Sequence, residues 1–463
     1  MTAFEDSLPS PPGNPDTPFS YPLAHPDPAS KPVAPKELSA DQQAKLDRLV
    51  DHFNRPDYTL PRTLRALKAR WAKEQGGGGS RFGSLFSRSA TPTNDEMEDL
   101  HPLSDVEKCY WSRQAFSRCL RAVKWDYAAG VRRAEETCVW RREYGVEEMK
   151  EEDVSHEGET GKELVMGYDI NCRPVLYMHP NRQNTETSPK QIAFVVWCLE
   201  RTIDLAPATD PATEMLCLCI DFGANQKDAK SQPTTLSQAR KVLEILQTYY
   251  CERLGRAVCV NIPQIFFAFY KLVSPFVDPV TKEKIRFLDK ADATALIPAS
   301  QLQKIFGGDI NMEYDHKTYF PALTKLCMER KAANLERWRK YGEGKCGLDE
   351  AIIRGARVPG QQANGTKEVA TQKADVDAAP AAAPAAATNG TDDAHGVTPL
   401  SEEFAAAALD DPATPAMTTG SDSSEGTAVS PSAGDANPGP DKFVEAPLAS
   451  PTAVERAHEA LHP

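Results

Sequence analysis

Residues 249–284 read YYCERLGRAVCVNIPQIFFAFYKLVSPFVDPVTKEK, and this stretch decides how the rest of the chain is interpreted. A short apolar run at 257–262 ends at Pro263 and is followed by a segment dense in aromatic residues that ends at Pro275. Apolar side chains in that segment recur at spacings of three and four, which is typical of a helix, and further ones widen the apolar face almost to the full circumference. The two prolines leave room for only a few turns, whereas a helix that spans a bilayer needs about 20 apolar residues. The pattern indicates either a buried core helix or a movable lid over an apolar cavity.

The composition divides the chain into one compact region and two flanks that lack the side chains for a core. The first 35 residues hold ten prolines and no apolar run, so residues 1–37 are interpreted as a disordered proline-rich arm. Residues 346–463 are interpreted as a disordered, acidic, Ala/Pro-rich tail. From residue 361 onward this tail carries sixteen acidic and four basic residues, which is most of the net charge of −13. The acidic pI is therefore a property of the tail and says nothing about the ligand of the folded part.

The cysteines and the hydropathy indicate the cellular compartment in which the protein is expected. The eleven cysteines are odd in number and mostly set among apolar residues, which favours reduced core thiols in the cytosol. No Cys/His cluster has metal-ligand spacing, so neither a metal nor a cofactor is expected. With no transmembrane run and no secretory signal, we expect a cytoplasmic protein that contacts membranes peripherally, at the endoplasmic reticulum, a lipid droplet or the cell periphery. Nucleic acid is not an expected partner.

Capping signals place the helices before residue 155. Ser39, followed three residues later by a glutamine, forms a capping-box pattern, and residues 38–74 are predicted to be an accessory helical segment. A glycine run and serines make residues 75–98 a flexible insert. A second capping box at Ser104 opens a helical lobe assigned to residues 99–155.

From residue 163 the hydrophobic period changes from helical to extended. Short apolar runs rich in Val, Ile, Leu and Cys lie at 164–168, 174–178, 215–222 and 257–262, with helical patterns at 189–205, 235–254 and 322–341. Continuous apolar strands separated by helices indicate a sheet buried on both faces, and therefore an α/β fold.

Several of these segments, taken in order, resemble the CRAL-TRIO lipid-binding family over about residues 104–320. The similar segments are 116–126 and 140–145 in the helical lobe, 161–177 in the opening hairpin, and then 250–261, 275–285, 302–308 and 314–316. The resemblance is closest to the azole or pleiotropic drug resistance subgroup of fungal phosphatidylinositol transfer proteins. It implies that an N-terminal helical lobe precedes a lipid-binding domain at 156–345. In that domain a mixed, mostly parallel sheet floors an apolar cavity that a gate helix closes.

The resemblance also turns the aromatic segment into a lid. The gate would be residues 263–273 together with the turn at 275–279, and no enzymatic activity is implied. The cavity and gate residues would be Leu216, Leu218, Phe266, Phe267, Phe269 and Phe276. We expect the four phenylalanines to dip into the membrane interface during lipid exchange, while Lys282 and Lys284 meet anionic headgroups.

Four residues match the family's inositol-phosphate ligands: Lys124, Glu252, Thr281 and Lys284. Their chemistry fits, because a phosphodiester needs cationic and hydroxyl donors and an inositol ring needs an acceptor such as a carboxylate. Each of the four, taken alone, is typical of an ordinary surface residue. The resemblance therefore implies phosphatidylinositol as the principal ligand.

The departures from the family pattern bear on a second ligand. Leu216 and Leu218 stand where choline-lipid-binding members have Ser and Thr, and an apolar pair leaves a buried phosphate unpaired at a cost of several kcal/mol, roughly. Phosphatidylcholine is thus disfavoured, and the subgroup resemblance implies a sterol instead. Val123 occupies another basic position of the family, and Cys251 replaces the Pro of a Tyr-Pro-Glu-Arg motif.

Two other classes of function stay open at this point. The chain could be an adaptor that presents phosphatidylinositol to lipid kinases and binds protein partners through its tails. It could also be a phosphoinositide-directed enzyme, for which Asp169 and Asp221 would be a carboxylate pair. The run at 158–162 superficially resembles a phosphate loop, but His156 stands where the first glycine of that motif is needed and Glu163 stands where its Ser or Thr is needed.

Overall fold

The computed structural model describes residues 4–74, 99–223, 236–277, 279–288 and 292–359. Within these ranges it describes only the backbone of Leu236, Gln264, Ile265, Phe267, Ala268, Phe269 and Val280. The predicted insert at 75–98 and the tail from residue 360 lie outside the described residues.

Helices and short strands alternate along the described chain. The helices are α1 (Ala40–Phe53), α2 (Leu64–Glu74), α3 (Asp105–Tyr110), α4 (Arg113–Ala122), α5 (Tyr127–Tyr144), α6 (Glu151–Gly158), α7 (Pro189–Asp204), α8 (Leu236–Tyr249), α9 (Gln264–Val273), α10 (Pro279–Glu283), α11 (His316–Tyr341) and α12 (Glu350–Ile353). The strands are β1 (Pro18–Phe19), β2 (Thr59–Pro61), β3 (Leu100–Pro102), β4 (Glu163–Tyr168), β5 (Pro174–Met178), β6 (Leu216–Asp221), β7 (Leu254–Val260), β8 (Ile285–Phe287) and β9 (Asn311–Met312).

The central sheet has five strands in the order β4-β5-β6-β7-β8. Strand β4 runs antiparallel to β5, and the other neighbours are parallel. The register aligns Leu218 of β6 with Leu176 of β5 and with Ala257 of β7. The sheet is therefore mixed and mostly parallel, as predicted, with a three-residue edge strand, β8, that the apolar runs did not reveal.

The helical lobe has its own core and forms as its capping signals predict. At the starts of α1 and α3, Ser39 and Ser104 complete both hydrogen bonds of a capping box. Asp126 caps α5, which ends at Gly145 in the left-handed conformation that glycine adopts without strain. Helices α1, α2, α4 and α5 bury a common cluster that includes Leu49, Leu67, Phe116 and Val139.

The N-terminal segment corrects the prediction of a disordered arm at 1–37. Phe19 and Leu23 are buried in the main core, and β1 pairs with β9 in parallel. Ala24 accepts hydrogen bonds from the Tyr168 hydroxyl and from Arg330. Because prolines restrict the unfolded chain, such a segment loses less conformational entropy on ordering, and a few apolar anchors suffice to hold it.

The predicted start of the disordered tail at 346 is also wrong. Cys346 and Ala351 are buried, and Glu350 pairs with Arg118 of the helical lobe at 2.9 Å. Ionic anchors of this kind come from distant parts of the chain, so local composition did not reveal them. The ordered chain extends at least to residue 359.

Helix α11 starts six residues earlier than predicted. The predicted helix began at Ala322, directly after Pro321, a residue type that disfavours helix interiors. In the structure Asp315 caps the helix one residue before His316, and the helix continues through Pro321.

Candidate lipid-binding site

The two faces of the central sheet differ in burial, and this difference marks the candidate site. One face carries Tyr177, Cys217, Cys219 and Val258, all fully buried. On the other face, Met178 pairs with Ile220, Ile220 with Cys259, and Cys259 with Phe287. Leu176 and Leu218 form a further pair on this face. Of these, Met178, Leu218, Ile220 and Phe287 are partly exposed.

This partial exposure occurs in the middle of the sheet. Strand β6 is the central strand, and side chains on a central strand are normally buried when helices cover the face. Helix α7 packs on β4 and β5, and Val242 and Leu246 of α8 pack against the main core, as Leu218 does. Leu218 and Ile220 are therefore the candidate lining of an apolar hollow over this face.

The predicted cavity residues of β6 both lie on this face. Leu216 is buried and Leu218 is partly exposed, and alternation along the strand points them in the same direction. Both positions carry leucine and not a hydroxyl side chain, so this part of the face is apolar.

Helix α9 lies at the β8 side of the same face. The ring of Phe266 lies 4.3 Å from that of Phe222 and 6.2 Å from that of Phe287. Tyr270 contacts Phe287 with ring centroids 5.4 Å apart. The described aromatic side chains of α9 thus point towards the sheet.

In this structure Phe266 is turned towards the sheet, and its entry into a membrane during exchange stays a prediction. Phe266 packs against aromatic rings inside the protein, whereas Leu272 and Phe276 are 60% and 42% exposed. The side chains of Phe267 and Phe269, also predicted at the gate, lie outside the described residues.

The turn after α9 is held by α8. The guanidinium of Arg240 lies 4.1 Å from the centre of the Phe276 ring, and Gln247 donates to the Phe276 carbonyl oxygen at 2.8 Å. Val273 and Val277 on either side of the turn are buried. Two contacts to Phe276 therefore connect the predicted gate to the body of the domain.

Three of the four predicted headgroup residues lie around the amino-terminal end of β7. Glu252 occupies the turn before β7 with a φ of 59°, and it is half-buried. Thr281 and Lys284 share one turn, because the Lys284 N–H donates to the Thr281 carbonyl oxygen at 3.1 Å. The Lys284 carbonyl oxygen accepts from Ala257 of β7, which places this turn at the same edge of the sheet.

The fourth residue, Lys124, lies in the exposed turn between α4 and α5 with a φ of 55°. The helical lobe that carries it docks on the Glu252 turn. Arg133 of α5 donates to the Thr248 carbonyl oxygen at 3.0 Å, and the thiol of Cys119 in α4 is hydrogen-bonded to that of Cys251. That hydrogen bond lowers the pKa of Cys251, and nearby arginines act in the same direction.

An arginine pair that sequence reasoning did not assign lies at the same edge. Asp169, fully buried, accepts from the backbone N–H groups of Asn171 and Arg173 at 2.8 and 2.9 Å. Its carboxylate also pairs with the side chains of Arg173 and Arg256, at 3.5 and 3.4 Å. Burial nevertheless raises the pKa of Asp169. The sequence features that could have indicated this arginine pair were the Arg-Pro-Val run that begins at Arg173 and the adjacent Gly255 and Arg256 shortly after Glu252.

The alternative catalytic pair is not brought together. Asp169 contacts the chain just before β5, whereas Asp221 ends β6, and these two strands are parallel. The two carboxylates therefore lie at opposite edges of the sheet, about a strand length of roughly 17–20 Å apart. Asp221 instead accepts from the Asn261 amide at 2.8 Å and lies 3.5 Å from His179.

Among the residues that the structure describes, no helix is long and apolar enough to cross a membrane. The same residues contain no cluster of His, Cys, Asp or Glu that could hold a metal ion.

Comparison with known proteins places the chain in a family. A model of the CRAL/TRIO domain matches residues 158–308. The phosphatidylinositol transfer protein PDR17 of Saccharomyces cerevisiae is 33% identical over 329 residues, which cover 69% of this chain and 85% of that protein. The chain therefore belongs to the CRAL-TRIO family, and the predicted fold class is confirmed.

Other relatives match over shorter parts. A CRAL-TRIO domain-containing protein of Schizosaccharomyces pombe is 44% identical over 253 residues, which are 55% of this chain but only 24% of that relative. The SEC14 cytosolic factor of Candida glabrata is 33% identical over 214 residues, covering 41% of this chain and 68% of that protein. The chain thus spans about a quarter of the Schizosaccharomyces relative.

Proposed function

We propose that this protein binds phosphatidylinositol in the hollow over the β5–β8 face and transfers it between membranes. The partly exposed Leu218 and Ile220 on the central strand carry this proposal, because a covered sheet leaves such side chains accessible only where a hollow lies above them. The name of the relative PDR17, a phosphatidylinositol transfer protein, supports the same ligand.

The energetics explain why such a protein is useful. A phospholipid with about 32 acyl carbons loses about 25 kcal/mol on entering water, at roughly 0.8 kcal/mol per CH₂. Passive desorption from a bilayer is accordingly slow. An apolar hollow that replaces the bilayer interior cancels most of this term, and residues such as Leu216 and Leu218 supply that environment.

The headgroup is held at the amino-terminal edge of β7. Lys284 and Lys124 supply cations for the phosphodiester, Thr281 supplies a hydroxyl donor, and Glu252 accepts from the inositol ring. The positive charge of Arg173 and Arg256, which share only the Asp169 carboxylate among the described ion pairs, favours a phosphate at the same edge.

The direct test is extraction of the lipid that copurifies with the full chain from a fungal host, followed by mass spectrometry. We expect phosphatidylinositol in the parental protein and its loss in the Lys124→Ala, Lys284→Ala double variant. A Lys317→Ala, Lys340→Ala variant, altered in helix α11, serves as the matched control and keeps the lipid. Unchanged phosphatidylinositol in the first double variant contradicts the headgroup assignment, and lipid-free parental protein contradicts the function.

A sterol is the second ligand that we propose, in exchange with phosphatidylinositol. The apolar pair of Leu216 and Leu218 leaves a phosphocholine phosphate without donors and suits a ring system instead. Sterol loading is expected to survive the Lys124→Ala, Lys284→Ala change, because the substituted cations serve only the phosphate. Equal loss of both lipids, measured in the same extracts, would show that sterol binding also depends on these two lysines.

Delivery is proposed to take place at membrane surfaces, with phosphatidylinositol presented there to lipid kinases or to partners that bind the tails. No turnover is expected, since the carboxylates Asp169 and Asp221 lie at opposite sheet edges. A phosphatase and lipase assay on the purified protein checks this point. Product formation that disappears with Asp221→Asn would overturn the non-enzymatic proposal.

A further inference from the structure

A cavity of about 120 Å³ lies between helices α3, α5, α7, α11 and α12 and reaches the turn before β7. One water needs only about 10–15 Å³, so the cavity has room for a small polyatomic ion with water around it. Eight of its sixteen lining residues are charged, and helix α3 contributes only uncharged side chains.

In one half of the cavity the charges are balanced. Arg141 pairs with Glu200 at 2.7 Å and with Glu147 at 2.6 Å, and Lys331 pairs with Glu147 at 2.5 Å. Asp204 accepts from an arginine of its own helix. Each cation in this half has a carboxylate, so nothing here calls for a further ion.

In the other half, arginines outnumber carboxylates. Arg118 pairs with Glu350 at 2.9 Å and with Glu214 at 3.1 Å, and Arg354 pairs with Glu350 at 3.4 Å. Arg253 has no carboxylate within 4.0 Å among the described residues. The buried Arg118 and Arg253 and the partly exposed Arg354 thus have two carboxylates near them, one of which also pairs with Arg121. Of this group, Arg253, Arg354 and Glu350 line the cavity.

Arg253 is the cation left without a counterion. It is 6% exposed and donates from Nη1 to the Glu214 carbonyl oxygen at 2.8 Å, and its Nε and Nη2 find no acceptor within the described parts of the chain. Burial lowers the pKa of Arg253, and the charge of Arg118 lowers it further. An unpaired buried cation is strongly unfavourable, so a bound anion would stabilise this arrangement.

Two neutral groups on the cavity wall also offer donors. The Tyr110 hydroxyl and the Asn334 amide nitrogen have no hydrogen-bond acceptor in the described structure, whereas the Asn334 carbonyl oxygen already accepts from Arg337 at 2.7 Å. A guanidinium, a hydroxyl and an amide on the wall of one cavity form a set of hydrogen-bond donors that have no acceptor in the described structure.

We propose that this cavity binds a small tetrahedral oxyanion of the phosphate class, with Arg253 as its principal ligand. Tyr110 and Asn334 donate further hydrogen bonds, and the anion neutralises the excess charge of the three arginines. The fork of donors on a guanidinium matches the oxygen spacing of phosphate, which favours an oxyanion over chloride. This site is distinct from the lipid hollow and does not require the proposed transfer function.

The test is equilibrium dialysis of the full chain against radiolabelled orthophosphate in a chloride buffer at constant ionic strength. We expect one saturable site that sulfate competes for. Arg253→Met and Tyr110→Phe each weaken binding, the first by about tenfold or more, because a hydrogen bond to a charged group is lost. Arg121→Met is the matched control: Arg121 pairs with Glu214 at 3.0 Å but does not line the cavity, and binding is retained.

Three outcomes overturn the proposal. Absence of saturable binding means that the cavity holds only water. Binding that both Arg253→Met and Tyr110→Phe leave unchanged lies elsewhere on the protein. Binding of glycerophosphoinositol, the soluble lipid headgroup, with no binding of orthophosphate assigns the cavity to the lipid. If Arg253→Met does not fold, the result with Tyr110→Phe, which removes one oxygen atom, decides alone.

Discussion

Gly255 shows how the absence of one side chain leaves room for Arg173 beside the turn that carries the predicted headgroup residue Glu252. A Cβ built at this residue would lie 2.7 Å from Nε and 2.8 Å from Cδ of Arg173, closer than real contacts allow. Only glycine lets the Arg173 side chain cross the strand here and reach the buried Asp169 carboxylate.

We predict that Gly255→Ala lowers the free energy of unfolding by about 1–3 kcal/mol. The new methyl group displaces the Arg173 side chain and weakens its charged contact with Asp169. Urea unfolding measures the effect, and Gly13→Ala is the control, since a Cβ at Gly13 meets no atom within 4 Å. Equal midpoints for the two variants would show that Arg173 moves aside without loss.

Glu163, the first residue of β4, is a second residue with a measurable signature. Its Oε2 atom is buried without a hydrogen-bond partner, and burial raises the pKa of this carboxyl to about 7 from the ordinary 4.5, although Lys162 opposes the shift. The folded state therefore retains a proton that the unfolded state releases. Stability falls as the pH rises from about 4.5 to about 7 and then levels off.

We predict that Glu163→Gln removes this pH-dependent loss of stability. The free energy of unfolding of the variant, relative to the parent, rises by about 2–3 kcal/mol between pH 4.5 and pH 8. Unfolding measured across this pH range on both proteins isolates the contribution of Glu163, because the other titrating groups cancel in the difference. The exposed Glu152→Gln variant is the control, and a flat difference for Glu163→Gln would refute the shifted pKa.

At the scale of the element, helix α9 shows what periodicity could and could not predict. Spacings of three and four gave a helix between two prolines, and the structure has one at Gln264–Val273. Because the apolar residues surround almost the whole helix, the pattern could not tell which side faces the sheet. Phe266 and Tyr270 turn inward, and Leu272 and Phe276 turn to solvent.

Under the proposed function, this orientation makes the exposed Leu272 and Phe276 the side chains that meet a membrane first. We predict that the Leu272→Asp, Phe276→Asp variant transfers phosphatidylinositol between vesicles at least about tenfold more slowly, since charged groups resist entry into the interface. Both side chains are exposed, and the change removes the Arg240 contact with the Phe276 ring but leaves the Gln247 hydrogen bond to the Phe276 carbonyl oxygen, so we expect the fold to be preserved. A matched Met328→Asp variant alters a residue that is 62% exposed on α11 and keeps the parental rate. Parental rates in both variants would exclude this surface from exchange.

At the scale of the whole molecule, the described chain is held by contacts between its distant segments. The segment around Phe19 contributes to the main core and pairs with β9, and Glu350 reaches back to Arg118. Both contacts join parts of the chain about 230 residues or more apart. Stability should therefore depend on residues that composition alone classes as disordered.

We predict that Phe19→Ala lowers the free energy of unfolding by about 2–4 kcal/mol, because truncation of a buried aromatic ring leaves a cavity. Val33→Ala in the same segment is the control; Val33 is 54% exposed, and its truncation costs within about 0.5 kcal/mol. Denaturant unfolding of both variants measures the difference. A neutral Phe19→Ala would mean that the segment rests on the core without stabilising it.

The sequence alone predicts the parts of this fold whose cause is local. The capping boxes at Ser39 and Ser104 form as predicted because every participating group lies within four residues. Strands β4 to β7 follow from continuous apolar runs. The three residues of β8 and the ionic anchor at Glu350 depend on partners far along the chain, so no local pattern could reveal them.

The candidate site divides in the same way. Its residues were assigned through family resemblance, and the structure places Glu252, Thr281 and Lys284 around one edge of the sheet. The resemblance did not assign Arg173 and Arg256, whose role arises only when Asp169 folds against them. The cavity at Arg253 is equally invisible in sequence, because five helices contribute its wall.

The accessible apolar side chains on strand β6 have a consequence for how a bound lipid would be exchanged. An empty hollow would wet Leu218 and Ile220, and that penalty disfavours an unloaded carrier in the aqueous phase. Under the proposed function, one lipid molecule is then released only as another enters, and the protein carries a lipid in both directions. Net delivery would be set by the difference in composition between the two membranes, with no energy source in the protein itself.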